Sequence, residues 1–286
     1  MKKKGISIVL AGAMAFMAIS PVFADEKPTA KFVDLPGHWG EVYMLAAVDN
    51  GLMQGVSEDR ILPGSPLTRA ELAAIVNRAF GSTKKADITR FTDVPAKEWY
   101  ADEIAKSLEM GIINGDTDTT ANPLGHVTRE EAFAIVSRAF GISIENTTVL
   151  DRFKDKNELA DYAIKPTAAM VAFGYAKGDL GKINPQGEMT RAEFAAIMYR
   201  LVSGYNEITD GTIMINKPDV SFENVKIMGD VVIGDGAGGT INLNSCEING
   251  RILVRASSNI TINLRNAKLH SKVIIMNDKV KVNVNY

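Results

Sequence analysis

Three short stretches decide how this chain is organised: Thr68-Arg69-Ala70-Glu71, Thr128-Arg129-Glu130-Glu131 and Thr190-Arg191-Ala192-Glu193. Their threonines stand 60 and 62 residues apart, and two further anchors keep the same period. Upstream of each lies a Phe-x-Asp, at Phe32/Asp34, Phe91/Asp93 and Phe153/Asp155. Between the two lies a pair of glycines four apart, Gly51/Gly55, Gly111/Gly115 and Gly174/Gly178. Independent anchors recurring in one order define an internal repeat, with units at about 32–81, 91–141 and 153–202.

Each unit reads as two helices joined by a turn-rich loop. In the first unit, Val42, Leu45, Ala46 and Asp49 give a mostly apolar face at helical spacing, stopped by Asn50-Gly51. Leu72, Ile75, Val76, Ala79 and Phe80 then trace the stripe of a second helix. The same stripe returns as Ala132, Ile135, Val136, Ala139, Phe140 and as Phe194, Ile197, Met198, Leu201, Val202. Two short helices bury too little surface to offset chain entropy, so the three units are expected to form one all-α bundle with approximate threefold symmetry.

Thr-x-x-Glu ahead of an apolar helix is a capping box, which assigns Thr68, Glu71 and their counterparts to the scaffold. The arginine is not needed for capping, and at the first helical position its charge faces the positive end of the helix dipole. Two readings stand. Either free amides, dipole and guanidinium together await an anion, or the arginine is paired with a neighbouring acid.

The succession Phe-x-Asp, Trp39 or Trp99, Gly-x-x-x-Gly, Pro63, Pro123 or Pro185, then Thr-Arg-x-Glu resembles S-layer homology domains. The resemblance implies a three-pronged spindle whose inter-repeat grooves bind secondary cell wall polysaccharide bearing ketal-linked pyruvate. It implies that Arg69, Arg129 and Arg191 contact the pyruvyl carboxylates. It further implies that Asp34, Asp93 and Asp155, with Trp39 and Trp99, shape the sugar-facing part, and that Gly55, Gly115 and Gly178 admit the polymer close to the backbone. For the tryptophans, packing of the first helix onto the bundle stands beside sugar contact. The third repeat departs from the pattern, with Leu159 and Tyr162 where the others carry tryptophan and Lys154 inside its Phe-x-Asp.

The chain opens Met1-Lys2-Lys3-Lys4, continues apolar from Ile6 to Ile19 and reaches Val22-Phe23-Ala24, the pattern of a secretory signal peptide over residues 1–24. A secreted protein of a Gram-positive-type cell surface is expected. The apolar stretch is short against the roughly 20 residues of a membrane span, and no transmembrane segment is expected after its removal. Cleavage would take away three lysines and no acid, moving the formal charge from -2 to -5. Such a balance argues against nucleic-acid binding. Cys246 stands alone and reads as a core residue.

Beyond Leu201 the helical period gives way to short apolar alternations, expected to form a second module over residues 205–286. Its columns repeat every 21 residues: Val220/Ile241/Ile262, Phe222/Leu243/Leu264, Ile227/Ile248/Leu269, Val231/Ile252/Val273 and Ile233/Val254/Ile275. Val225/Cys246/Ala267 and Gly229/Gly250/Ser271 keep the interval. This predicts a small parallel β-helix or related solenoid of roughly three to four coils, and an overall multi-domain α plus β class.

Parallel β-helices host many carbohydrate-active enzymes, so a surface enzyme is one alternative to a wall anchor, and an S-layer or assembly subunit is another. Asp219, Glu223, Asp230, Asp235, Glu247 and Asp278 form no column on one face, and Asp230 opposite Arg251 and Lys272 reads as a solvated charge ladder. His38, His126 and His270 have no zinc spacing, Asn114 to Asp118 lacks the later glutamate of a calcium loop, and Gly234 to Gly239 lacks the lysine of a phosphate loop. No catalytic site, metal or cofactor is expected. The C-terminal module is a candidate for self-association or for docking another surface protein.

Overall fold

The computed structural model describes residues 32–278 and 281–286; the signal peptide read at residues 1–24 lies outside them. Six helices come first: α1 (Glu41–Asp49), α2 (Arg69–Phe80), α3 (Ala101–Glu109), α4 (Arg129–Ala139), α5 (Asp161–Ala172) and α6 (Arg191–Leu201). The helices α2, α4 and α6 each begin at a complete capping box, on Thr68/Glu71, Thr128/Glu131 and Thr190/Glu193.

The first helix of each repeat packs on the second helix of the repeat before it: α3 on α2, α5 on α4, and α1 back on α6, which closes a ring. At the centre, the Leu67 amide donates to the Met189 carbonyl, the Met189 amide to Val127 and the Val127 amide to Leu67, at 2.8, 2.9 and 2.9 Å. All three side chains are fully buried. This triangle of main-chain bonds marks the approximate threefold axis and pairs polar groups that water cannot reach.

The stripes read on α2, α4 and α6 are buried throughout. The face read on α1 is not the buried one. Met44 and Ala47 face the core, while Val42 is 63% exposed. Apolar residues surround this helix on several sides, so their spacing could not select the face that packs.

Twelve short strands follow: β1 (Gly204–Tyr205), β2 (Ile213–Ile215), β3 (Ser221–Glu223), β4 (Lys226–Ile227), β5 (Val231–Ile233), β6 (Gly239–Asn244), β7 (Glu247–Ile248), β8 (Ile252–Val254), β9 (Ile260–Asn263), β10 (Lys268–Leu269), β11 (Val273–Ile275) and β12 (Val282–Asn285). They pair in parallel as three sheets, β1-β2-β5-β8-β11, β10-β7-β4 and β12-β9-β6-β3, the faces of a β-solenoid of about three turns. Register follows the 21-residue columns, with Val231 opposite Ile252 and Ile252 opposite Val273, and Ile227 opposite Ile248. Cys246 is buried in the interior beside Val225 and Ala267. One corner column is left-handed, Asn224, Ser245 and Asn266 at φ 58°, 56° and 55°, short polar residues that tolerate that conformation. Asn263 donates to Asn242, and Asn285 to Asn263, in a side-chain ladder.

The helical bundle and the solenoid share a core. In β2, β5 and β8 the residues alternate, so Ile213, Val231 and Ile252 point inward while Met214, Val232 and Leu253 point out. The outward three are buried against the helices in one continuous apolar cluster. Polar contacts ring it. Arg251 donates to the Gly141 carbonyl at 2.6 Å, Arg255 to Met110 at 2.9 Å and Asn216 to Ala79 at 2.8 Å. These groups fall on carbonyls at or just beyond the ends of α2, α3 and α4, where unpaired acceptors and the dipole favour donors and cations. The ladder read at Asp230, Arg251 and Lys272 is therefore not solvated as a whole. Asp230 and Arg251 form a half-buried 2.6 Å ion pair at this junction, and Lys272 alone is exposed.

Candidate functional site

The three Thr-Arg-x-Glu corners lie around the threefold axis. Their helix-start amides are not free. Arg69 and Ala70 donate to the carbonyls of Gly125 and Pro123, Arg129 and Glu130 to Gly187 and Pro185, and Arg191 and Ala192 to Ser65 and Pro63. The third amide goes to the capping threonine. The amide half of the expected anion site is thus absent, because another repeat's backbone supplies the acceptors.

The arginines pair with acids, and each acid belongs to the following repeat. Arg191 Nη1 lies 2.9 Å from Glu71 Oε1, Arg129 Nη1 2.5 Å from Glu193 Oε1, and Arg69 Nη1 3.5 Å from Glu131 Oε1. The second oxygen of each glutamate accepts from the threonine amide of its own capping box. One carboxylate therefore caps its own helix and ties down the preceding repeat. Each Nε also donates to a carbonyl, those of Ala121, Ile183 and Ile61 for Arg69, Arg129 and Arg191. The arginines are correspondingly well packed, with Arg69 and Arg191 at 8% and 5% exposed. Burial lowers the Arg191 pKa, and the Glu71 charge opposes that effect.

Each guanidinium carries five N–H donors, so these contacts leave others for a ligand. Arg191 Nη2 donates to the Gln54 carbonyl and Arg69 Nη2 to Asn114. Arg129 Nη2 has no protein partner among the described residues, which makes it the least committed of the three.

Three grooves of about 170, 420 and 240 Å³ form around these arginines. The first holds Arg129, Gly178, Glu193 and Trp39; the second Arg191, Gly55, Glu71 and Trp99; the third Arg69, Gly115, Glu131 and Tyr162. Every groove takes its arginine, its loop and its aromatic ring from three different repeats. Trp39, Trp99 and Tyr162 are 58%, 55% and 56% exposed, so they wall the grooves and are not core residues. Of the two residues that replace tryptophan in the third repeat, Leu159 is buried and Tyr162 takes the rim.

Glu130 explains how Tyr162 is held. Its counterparts are Ala70 and Ala192, yet Glu130 is buried and accepts from the Ala160 amide, the Gln186 side chain and, at 3.4 Å, the Tyr162 hydroxyl. Desolvation, then the nearby Glu130 charge, push the Tyr162 phenol up to about 12. The departures of the second and third repeats are thus matched to each other.

The aspartates brace the loops and are not among the residues lining the grooves. Asp34 accepts from the amides of Ile61 and Leu62, Asp93 from Ala121 and Asn122, and Asp155 from Ile183 and Asn184. Leu62, Asn122 and Asn184 have φ of 50°, 50° and 51°, a left-handed turn that is costly for leucine in particular. The aspartate and the arginine of another repeat hold the same peptide from its two ends.

The groove glycines have an internal reason as well. A Cβ on Gly55 would lie 2.6 Å from the Phe32 ring and from the Ser57 carbonyl, and one on Gly178 2.6 Å from the Phe153 ring. The Phe-x-Asp phenylalanines thus press on the loops that the glycines open.

A second set of arginines escapes motif reading. Arg78, Arg138 and Arg200 line the second, third and first grooves, spaced by the same 60 and 62 residues as the threonines. They sit in the last turns of α2, α4 and α6, Arg78 exposed and Arg138 and Arg200 half-buried, and belong to no motif, but the shared period singles them out. Among the described residues no cluster of His, Cys, Asp and Glu suits a metal ion, and no helix is long and apolar enough to cross a membrane.

The S-layer homology domain family matches residues 31–73, 90–133 and 152–195, one match on each capping-box corner. This chain is an S-layer homology domain protein. Its three S-layer homology domains are followed by the β-solenoid. The chain is 31% identical over 249 residues to the surface-layer 125 kDa protein of Lysinibacillus sphaericus, covering 85% of this chain and 20% of that protein. A match of that extent runs past the S-layer homology domains into the solenoid. It is 28% identical over 195 residues to the S-layer protein sap of Bacillus anthracis, covering 68% and 23%. An amylopullulanase of Thermoanaerobacterium thermosulfurigenes is 30% identical over 175 residues, covering 60% and 9%. The chain thus spans less than a quarter of the length of each of these curated relatives.

Proposed function

We propose that the three grooves bind a pyruvylated secondary cell wall polysaccharide and so hold a secreted protein non-covalently on the bacterial wall. The S-layer homology domains and the surface-layer relatives support cell-wall anchoring of a surface protein of a Gram-positive-type bacterium. The observation that carries the finer reading is the threefold recurrence of a guanidinium with spare donors beside an exposed aromatic ring. A carboxylate on a sugar needs both: a forked donor for the anion and a flat apolar face for the ring. Three weak grooves on one polymer would add through high effective concentration.

The role proposed is structural. Of the solenoid acids, Asp230 is paired with Arg251, Glu247 with Lys226 and His270, and Asp219 accepts from the Thr240 amide. The amylopullulanase relative matches this chain over 9% of its own length, so its name carries no activity to these residues. The test is pull-down of the full chain on purified wall polymer before and after chemical removal of the pyruvyl groups. Loss of binding on removal supports the reading, and equal binding to the two polymers removes it.

A further inference from the structure

A cavity of about 490 Å³, larger than any of the three grooves, lies where the bundle meets the solenoid. Phe173 and Tyr175 line one wall, and Met228, Asp230, Arg251 and Lys272 the other. Tyr175 also lines the first groove, beside Arg129, Gly178 and Trp39, so the two spaces meet at one side chain.

The third repeat is modified at this wall and nowhere equivalent in its siblings. Phe173 stands where the other repeats have Asn50 and Met110, and Tyr175 where they have Leu52 and Ile112, both buried. Phe173 is 56% exposed, with its ring centroid 6.3 Å from that of Tyr175. An apolar ring presented to water beside a cleft of this size is a platform for a flat ligand face. Across the cleft, Arg251 already neutralises Asp230 at 2.6 Å, whereas the Lys272 ammonium has no protein partner among the described residues. The uncompensated charge of the cleft is therefore positive.

We propose that this junction cleft is a fourth subsite for the anionic wall polysaccharide, receiving the length of chain that leaves the first groove over Tyr175. Phe173 lies against a sugar face and Lys272 meets the anionic substituent. The solenoid then lengthens the binding track of the S-layer homology domains. This rests on the groove reading above.

The test compares two probes on the full chain, the intact pyruvylated wall polysaccharide and its smallest pyruvylated oligosaccharide, with Phe173→Ala, Lys272→Ala and Arg129→Lys. Both replaced cleft side chains are exposed, so folding is expected to survive, and a thermal melt checks it. The cleft variants should each weaken polymer binding about fivefold and leave oligosaccharide binding unchanged, while Arg129→Lys weakens both. Cleft variants that bind polymer as wild type does, with Arg129→Lys still impaired, overturn the fourth subsite and leave the grooves standing. Wild-type binding by all three variants overturns the track and the groove reading together.

Discussion

Arg191 and Glu71 lie 2.9 Å apart although 120 residues separate them in the chain, and their contact joins the last repeat to the first. The same glutamate holds the Thr68 amide, so removing its charge loosens a helix start and a ring closure together. Glu71→Gln should cost about 2 kcal/mol of stability, because it leaves a buried guanidinium without its counter-charge. A thermal melt unchanged from wild type would contradict this account of the corner.

Arg129→Lys separates binding from folding. Lysine can keep the charge opposite Glu193 but loses the fork and the donor to Ile183. Stability should fall by about 1 kcal/mol, while polymer affinity falls about tenfold. Arg191→Ala is the poorer probe. It empties a buried site with three engaged nitrogens, so lost binding there would report lost structure.

The aromatic walls invite the converse experiment. Trp39→Ala and Trp99→Ala remove more than half-exposed rings, so melting temperatures should stay within a few degrees of wild type. Polymer binding should weaken in both. Unchanged binding with unchanged stability would leave the rings without the role proposed for them.

Acid should undo the loops. Burial alone would raise the Asp34 and Asp155 pKa values, but amides of Ile61 and Leu62, and of Ile183 and Asn184, outweigh it and hold both carboxyls below the usual range. A carboxyl more acidic folded than unfolded contributes stability that is complete above its unfolded pKa of about 3.9. That contribution is lost as pH falls through the lower folded value. Asp155→Asn should therefore melt lower than wild type at pH 7 and lose less than wild type does between pH 4 and pH 2. Parallel losses in the two proteins would contradict the assignment.

The shared core predicts one unfolding transition. Both tryptophans, Trp39 and Trp99, sit in the bundle, so their fluorescence follows the helices, while circular dichroism near 218 nm also follows the solenoid strands. The two signals should melt together, and Leu253→Asp should lower both by placing a charge in the junction. Separate transitions in wild type would mean that the two parts fold independently.

Much of this was legible from residue spacing. The capping boxes, the second-helix stripes and the 21-residue columns are local periodicities, and each reappears in the fold. The register slips at the solenoid ends were not legible. Ile213 pairs with Val231 and Ile260 with Val282, steps of 18 and 22 that break the column spacing. The face of α1 was misread because that helix lacks a clear polar side. The arginine partners and the occupied helix-start amides were hidden for another reason: both come from a different repeat, and only ring closure brings them together. Tyr162 was legible, beside Leu159, as a stand-in for the tryptophan, but its support was not, because Glu130 sits in the neighbouring repeat.

The most direct measurement is the affinity of the full chain for purified secondary wall polysaccharide, titrated with and without its pyruvyl groups. Carboxylates read by Arg69, Arg129 and Arg191 predict that removing pyruvate weakens binding by about tenfold or more. Equal affinity for the two polymers would contradict the arginine grooves as the anchoring site.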